Sequence, residues 1–311
     1  MNQKLSVILL SYFSQKRIEN VYRNIRALLD ENNIPFEFII MDDGSNDNSY
    51  EVALQLEQQE ENVTAYQLSK NYTSHYSIFA GLSVCTGACA IPIVDDEQQP
   101  YHTIVDMYRL WQQGEKIIIP HRISRDDNWK SKIFSEGYYN MMNRFSDVKF
   151  PVGGADLFFI DREVIDLINE RIRPINTSSI VEILRLGFRP YLYAYERPLG
   201  VNEKSRWTLR KKIRLAKDTF FSSSSFPIKL IFNLGLIISL VSFCLIIFYL
   251  YIKLFGNPFY WDISQKGWTS IILLISLFGG LILFSLGIIS EYIWRIYDEV
   301  KNRPGYIIKK K

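Results

Sequence analysis

Ile91-Pro92-Ile93-Val94-Asp95-Asp96-Glu97-Gln98-Gln99-Pro100 is an apolar run that ends abruptly in three acids, two amides and a proline. It rises out of a small-residue segment, Gly87-Ala88-Cys89-Ala90. A continuous apolar run bounded by turn formers reads as a strand of a mostly buried parallel sheet. Carboxylates at the carboxyl end of such a strand lie where α/β sheets bind ligands, in the crevice beyond the strand ends. Hard oxygen donors packed this closely suit Mg²⁺ or Mn²⁺ carrying a phosphate. A solvated acidic turn is the plain alternative, and the rest of the chain decides between them.

Working outward, Leu5 to Leu10 reads as a first strand, followed by the loop Ser11-Tyr12-Phe13-Ser14. Arg17 to Glu31 has helical spacing, with Ile18, Val21, Ile25, Leu28 and Leu29 on one face, and Pro35 ends it. Phe36 to Met41 is a second strand that runs into Asp42-Asp43-Gly44-Ser45-Asn46-Asp47, with Asp47 placed to cap a helix from Ser49 to Glu60. A short strand over Val63 to Leu68 leads through Ser69-Lys70-Asn71-Tyr72-Thr73-Ser74-His75 into a helix ending near Val84. Beyond Pro100 come a helix (Thr103 to Gln113) and a strand (Lys116 to Ile119) ending at Pro120-His121-Arg122. A basic, aromatic helical stretch (Trp129 to Phe145) follows, then a glycine-marked turn, Gly153-Gly154-Ala155-Asp156, and a strand from Arg189 to Tyr195 that ends at Glu196-Arg197. Repeated strand–loop–helix alternation predicts a doubly wound α/β domain, with its acidic clusters and two histidines on one edge of the sheet.

The 311 residues carry 36 Lys and Arg against 33 Asp and Glu, a net charge of +3, so no global charge argues for nucleic acid. The distribution is uneven. Arg206 to Lys229 holds seven basic residues and one acid, Asp218, and Arg206 to Phe221 has the pattern of an amphipathic basic helix lying in a bilayer interface. Leu230 to Ile252 and Gly267 to Ser290 contain no charged residue. Each is about 23 residues, enough to span roughly 30 Å of hydrocarbon, so two transmembrane helices are expected. Lys and Arg crowd before the first run and after the second, whereas the connecting loop holds only Lys253 and Lys266. The positive-inside rule then puts the α/β domain and both termini in the cytoplasm. Cys85, Cys89 and Cys244 have no metal-ligand spacing and read as buried small hydrophobes. The expected division is an α/β domain over 1–200, a basic juxtamembrane segment over 201–228, two spans over 229–292 and a basic tail over 293–311.

A cytosolic acidic site tethered to a membrane by basic residues suits a phosphate-bearing soluble donor meeting an anionic lipid acceptor. The order Asp42-Asp43-Gly44-Ser45, Ser69-Lys70-Asn71-Tyr72, Ala80-Gly81-Leu82 and Asp96-Glu97-Gln98-Gln99-Pro100, followed by two apolar runs, resembles the family 2 glycosyltransferases of GT-A fold. More narrowly it is similar to the polyprenyl-phosphate glycosyltransferases related to dolichol-phosphate mannose synthase, in the branch with two C-terminal spans. The tail Glu291 to Pro304 is similar to that branch's C-terminal signature.

The resemblance implies metal-dependent, inverting transfer of a sugar from a nucleotide-sugar donor to polyprenyl (undecaprenyl) phosphate at the cytoplasmic membrane, by a homo-oligomer. It implies that Asp42 and Asp43 line the nucleotide pocket, with Ser11, Asn71 and Asp95 beside the donor. Asp96 and Gln98 match the metal ligands of the family's Asp-x-Asp-x-Gln pattern, with Mg²⁺ or Mn²⁺ as the ion. Asp156 and Arg122 match residues near the reacting centre, and Arg197, Ser205, Arg206, Arg210 and Lys211 fall where the family binds acceptor phosphate. The pattern's first acid falls on Val94, so Asp95 or Glu97 is left to supply that oxygen. Two rival readings stay open at this point. One is extension of a lipid-linked glycan, with Asp156 as base toward a hydroxyl; the other is a non-catalytic membrane-anchored relative.

Overall fold

Fully buried strands alternate their side chains between two helical layers, and this alternation organises the first unit of the protein. In the computed structural model, which describes residues 3–96, 100–122, 137, 140–146, 148–150, 157–195, 220–221, 224–255 and 268–309, β1 (Leu5–Ser11) is buried at every position. Leu5, Val7 and Leu9 pack toward α1 (Ile18–Glu31), α2 (Ser49–Gln59) and α4 (His102–Gln112). Ile8 and Leu10 point the other way, toward α3 (Ser74–Val84), α5 (Arg162–Arg171) and α6 (Ser179–Arg185). Leu9 has no exposed surface, and truncating such a residue to alanine costs about 2–5 kcal/mol.

The described sheet has seven strands. With β2 (Phe36–Asp42), β3 (Val63–Gln67), β4 (Cys89–Val94), β5 (Ile117–Arg122), β6 (Phe159–Asp161) and β7 (Tyr191–Tyr195), its order is β3-β2-β1-β4-β6-β5-β7. β1, β2, β3 and β4 are mutually parallel, and β5 is parallel to β7, but β6 is antiparallel to both β4 and β5. The sheet is therefore mixed rather than purely parallel. A three-residue strand offers too little periodicity to announce its direction in sequence.

Local signals account for the element ends. α1 buries Ile18, Val21, Tyr22, Ile25 and Leu29 on one face, as its spacing predicts, with Leu28 at the margin. It closes before Pro35. Asn33 adopts a left-handed φ of 53°, Ile34 N–H donates to the Leu29 carbonyl at 2.9 Å and Asn33 N–H to Asp30 at 3.1 Å. That is a Schellman closure, with buried Ile34 as its apolar contact. Asp47 accepts the Ser49 N–H at 3.2 Å, as a start signal for α2 should. Asp161 caps α5 by accepting from Glu163 N–H at 2.9 Å and takes the Trp111 indole N–H at 2.7 Å.

A second unit comprises residues 224–302, with α7 (Phe226–Phe255) and α8 (Trp268–Val300). Thirty and 33 residues correspond to about 45 and 50 Å of helix. Leu277–Val300 is long and apolar enough to cross a membrane, and no part of it is buried as a soluble core helix would be. Among the described residues it is the one helix that meets this test, where the sequence predicted two spans; the described apolar stretch of α7 is Phe226–Ile238. Ser285 and Ser290 turn their hydroxyls back onto the carbonyls of Leu281 and Leu286, both at 2.8 Å, which hides polar atoms within an apolar helix. α8 continues past the uncharged run to Val300, and residues 303–311 belong to the first unit. Cys85 and Cys89 are buried as expected, whereas Cys244 is exposed on α7.

Candidate active site

Parallel strands deliver their last residues to one edge. The register pairs Ser11 with Asp42, Leu10 with Val94 and Asp42 with Gln67. Because β6 is antiparallel to both β4 and β5, the latter two run the same way, and His121 and Arg122 arrive at this edge too, opposite Ala194 and Tyr195. Strand order reverses between β1 and β4, and open α/β sheets bind ligands in the crevice at such a reversal.

Asp42 is fully buried at the end of β2. Its Oδ2 accepts from Ser45 N–H at 2.9 Å and from the Gln67 side-chain amide at 3.1 Å, while Oδ1 accepts from the Ser45 hydroxyl at 2.5 Å. Ser11 Oγ stands 3.5 Å from Oδ1, at the outer limit of a hydrogen bond. These donors offset the desolvation that burial imposes on a carboxylate. Asp43 turns away from this cluster. Its two oxygens accept from the backbone N–H groups of Tyr72 at 2.7 Å and Thr73 at 2.9 Å. Thr73 sits at φ 84°, ψ 161°, a region that β-branched residues avoid, so Asp43 clamps a strained turn. Gly44, at φ 66°, lets the two loops touch; a Cβ there would stand 2.5 Å from the Lys70 carbonyl carbon. Asn71 is half-buried in this clamped loop.

Asp95 follows β4 and is buried. Its Oδ2 accepts from Ser14 Oγ at 2.5 Å and faces the Arg17 guanidinium at 3.0 Å. Burial pushes its carboxyl above the usual range, against the pull of Ser14 and Arg17, and neighbouring Asp96 adds to the push. Ser14 N–H donates to Ser49 Oγ at 2.7 Å and Phe13 N–H to Ser45 Oγ at 3.1 Å, so the loops after β1, β2 and β4 are laced together. Phe13 is held at φ 52° and is 46% exposed, with its ring edge-on to Tyr12 at 4.5 Å. The crevice is thus walled by buried acids whose oxygens face protein donors, beside an exposed aromatic rim.

The sequence profile of the family described as Glycosyl transferase family 2 matches residues 6–168, which is 163 of 311 residues and takes in every strand end just described except β7. The chain belongs to glycosyl transferase family 2.

As a family 2 glycosyltransferase, it is an enzyme with the GT-A arrangement that its mixed α/β sheet displays. It is similar over nearly its whole length to curated relatives. An uncharacterized glycosyltransferase YkcC of Bacillus subtilis is 28% identical over 98% of this chain and 93% of that protein. The bactoprenol glucosyl transferase of Shigella phage SfII is 29% identical over 99% of this chain and 98% of that protein. Among solved structures, glucosyl-3-phosphoglycerate synthase from Mycobacterium tuberculosis, crystallised with Mn²⁺, UDP and phosphoglyceric acid, aligns with a TM-score of 0.49 at 16% identity, over 69% of this chain and 75% of that one.

For a divalent ion, the described donor set is small. Among the described residues no cluster of three or more Asp, Glu, His or Cys side chains forms. Asp95 faces Arg17 at 3.0 Å, and Asp96, half-buried two residues beyond β4, is the carboxylate at the position the metal-ligand pattern marks. One carboxylate with diphosphate oxygens is a normal Mg²⁺ or Mn²⁺ site, so the chemistry fits. Gln98 and Glu97 lie outside the described residues, as do Asp156, Arg197, Ser205, Arg206, Arg210 and Lys211, and most of the expected basic helix. Arg122 is described by its backbone pairing with Tyr195 alone. His75, the second residue of α3, has Nδ1 3.3 Å from Ser179 Oγ, and His121 has a buried Nδ1 with no hydrogen-bond partner among the described residues. Sequence reasoning placed Ser45 in a motif but assigned it no role, and it did not single out Ser14, Arg17 and Gln67, which with Ser45 hold the acids. Gln67 was detectable only as the polar end of a strand, and Ser14 and Arg17 carry no motif.

Proposed function

We propose that this enzyme transfers a sugar, with inversion, from a nucleotide-sugar donor to polyprenyl (undecaprenyl) phosphate at the cytoplasmic face of a membrane. The observation that carries the reading is the end-to-end similarity to the phage bactoprenol glucosyl transferase, which extends beyond the family 2 region through the apolar helices. In this reading α7 and α8 both span the bilayer, flanking Lys and Arg hold the α/β domain and both termini in the cytoplasm, and the enzyme works as a homo-oligomer. The product feeds assembly of a surface polysaccharide or lipid glycan.

The crevice between β1 and β4 takes the donor, with Asp42, Asp43, Ser11, Asn71 and Asp95 around the nucleotide. Asp96, with Gln98, would hold Mg²⁺ or Mn²⁺, which when bound neutralises charge on the diphosphate. An acceptor phosphate oxygen forms the new bond to the anomeric carbon. The bond from that carbon to the donor's phosphate oxygen breaks, and the nucleoside diphosphate leaves with the electron pair. The attacking oxygen is already an anion, so no general base is required. Arg197, Ser205, Arg206, Arg210 and Lys211 bind the acceptor phosphate by charge-assisted hydrogen bonds, and Arg122 and Asp156 border the reacting carbon.

The test uses the purified full chain in detergent with a short-chain polyprenyl phosphate, Mn²⁺ and a panel of nucleotide sugars, with products followed by mass spectrometry. A phospho-linked sugar is expected, lost on chelation and reduced at least about 100-fold by Asp96→Ala. Extension of a lipid-linked oligosaccharide, with no product on polyprenyl phosphate, would overturn the choice of acceptor.

A further inference from the structure

The last described residues of the chain belong to the first unit and pair with the carboxyl end of its edge strand β3. Ser69 N–H donates to the Ile307 carbonyl and Lys309 N–H to the Gln67 carbonyl, both at 2.8 Å, around an antiparallel bridge between Leu68 and Ile308. Tyr306 and Ile308 pack on the apolar cluster beneath α3, and the Tyr306 hydroxyl donates to Phe79 O at 3.4 Å. Gly305 passes so near the Pro174 carbonyl that a Cβ there would have no room. An edge strand with free N–H and C=O groups is a liability, and this segment covers part of β3's edge. Covering an edge does not require a lysine at a particular register.

Lys309 Nζ donates to Gln67 Oε1 at 2.8 Å, and Gln67 Nε2 donates to Asp42 Oδ2 at 3.1 Å. An ammonium has donors and no acceptor, so it binds only the oxygen end of the amide and thereby turns the NH₂ toward the carboxylate. With the ammonium gone, Asp42 alone orients the amide, and Gln67 is held less firmly against the carboxylate. We infer that the C-terminal segment Arg303–Lys309 is a working part of the donor pocket, with Lys309 and Gln67 as positioning residues that set the Asp42 carboxylate. This rests on the reading of Asp42 as a donor-pocket residue.

The experiment compares full-length wild type, Lys309→Met and Lys309→Arg in detergent. One readout is amide hydrogen exchange at Ser45, whose N–H shares Asp42 Oδ2 with Gln67. The other is calorimetric binding of UDP and of GDP with Mn²⁺. Losing one hydrogen bond of ordinary worth predicts about five-fold faster Ser45 exchange in Lys309→Met. The same variant should bind whichever diphosphate the wild type takes about five-fold more weakly and raise the donor KM with kcat little changed. Exchange at Ser69, which reports the tail's backbone docking, should not move, and Lys309→Arg should restore both readouts. Unchanged Ser45 exchange in Lys309→Met would overturn the relay itself. Faster Ser45 exchange in a protein whose wild type binds neither diphosphate would overturn the donor-pocket role while leaving the hydrogen-bond chain as a purely structural feature.

Discussion

Replacing Asp43 with asparagine removes one of the two acceptors that hold the turn at Tyr72 and Thr73. The two bonds, 2.7 and 2.9 Å long, come from backbone N–H groups to an ionised oxygen pair. At about 1.5–3 kcal/mol each, they contribute about 3–6 kcal/mol against the strain of Thr73 at φ 84°, which is of order 1–3 kcal/mol. Asparagine keeps one neutral acceptor, worth about 1 kcal/mol, and turns an NH₂ toward the other N–H. What remains no longer exceeds the strain, so the turn should open about 2–5 kcal/mol more easily. At 1.4 kcal/mol per factor of ten, amide exchange at Tyr72 and Thr73 should accelerate by about 30-fold or more. Mass-resolved hydrogen exchange on the full chain measures this directly. Thr73→Gly isolates the strain, because glycine adopts that φ freely while losing about 1 kcal/mol of chain entropy. On its own it should leave the turn as stable as before or up to about 2 kcal/mol more stable. Acceleration of less than three-fold in Asp43→Asn would refute the assignment of the carboxylate as the clamp, and a clear loss of protection in Thr73→Gly would refute the strain.

Gly44→Ala should be more damaging than an ordinary loop substitution. Its Cβ meets Lys70 backbone at 2.5 Å and cannot be relieved by a side-chain rotation, so the loops after β2 and β3 must separate. A local loss of about 2 kcal/mol or more is expected, read as faster exchange at Tyr72 and weaker nucleoside diphosphate binding. At the opposite end of the sheet, burial pushes Glu37 up, but the hydroxyls of Ser6 and Thr86, the Thr86 N–H and the Lys4 ammonium outweigh it and bring the carboxyl from 4.5 to about 2. A depressed folded value means stability that is complete above about pH 5 and lost as pH falls toward 2. Because Lys4 and part of the Glu37 site are open to solvent, which screens the pairing, the size is about 1–2 kcal/mol. Exchange at Thr86 and Gly87, corrected for intrinsic rates, should lose protection between pH 5 and 3 in the wild type and show no such step in Glu37→Gln.

The order of strands and helices through residue 122 was legible because buried strands and amphipathic helices write their periods directly into the chain. Ile18, Val21, Ile25 and Leu29 announce α1, and the acids after β2 and β4 announce the ligand edge. The antiparallel β6 was not legible, since three residues carry no period and their direction is set by the neighbours they join. The uncharged runs marked apolar helices, although one of the two meets the spanning test within the described residues.

By itself, then, the sequence determined the fold class, the family and the edge where the acidic residues gather, because composition and periodicity are local properties of the chain. Only the tertiary structure decided what each acid does. Asp42 is bound to Ser45 and Gln67, Asp43 to the backbone of the next loop, and Asp95 to Ser14 and Arg17 from the loop and helix after β1. Asp42 and Asp43 are adjacent in sequence and indistinguishable there. Their roles differ because successive side chains leave a strand end in opposite directions, and each then meets partners brought close by crossovers of dozens of residues. The return of Lys309 to Gln67, across 242 positions of chain, is the extreme case: no local pattern encodes a contact that exists only once the sheet edge has formed.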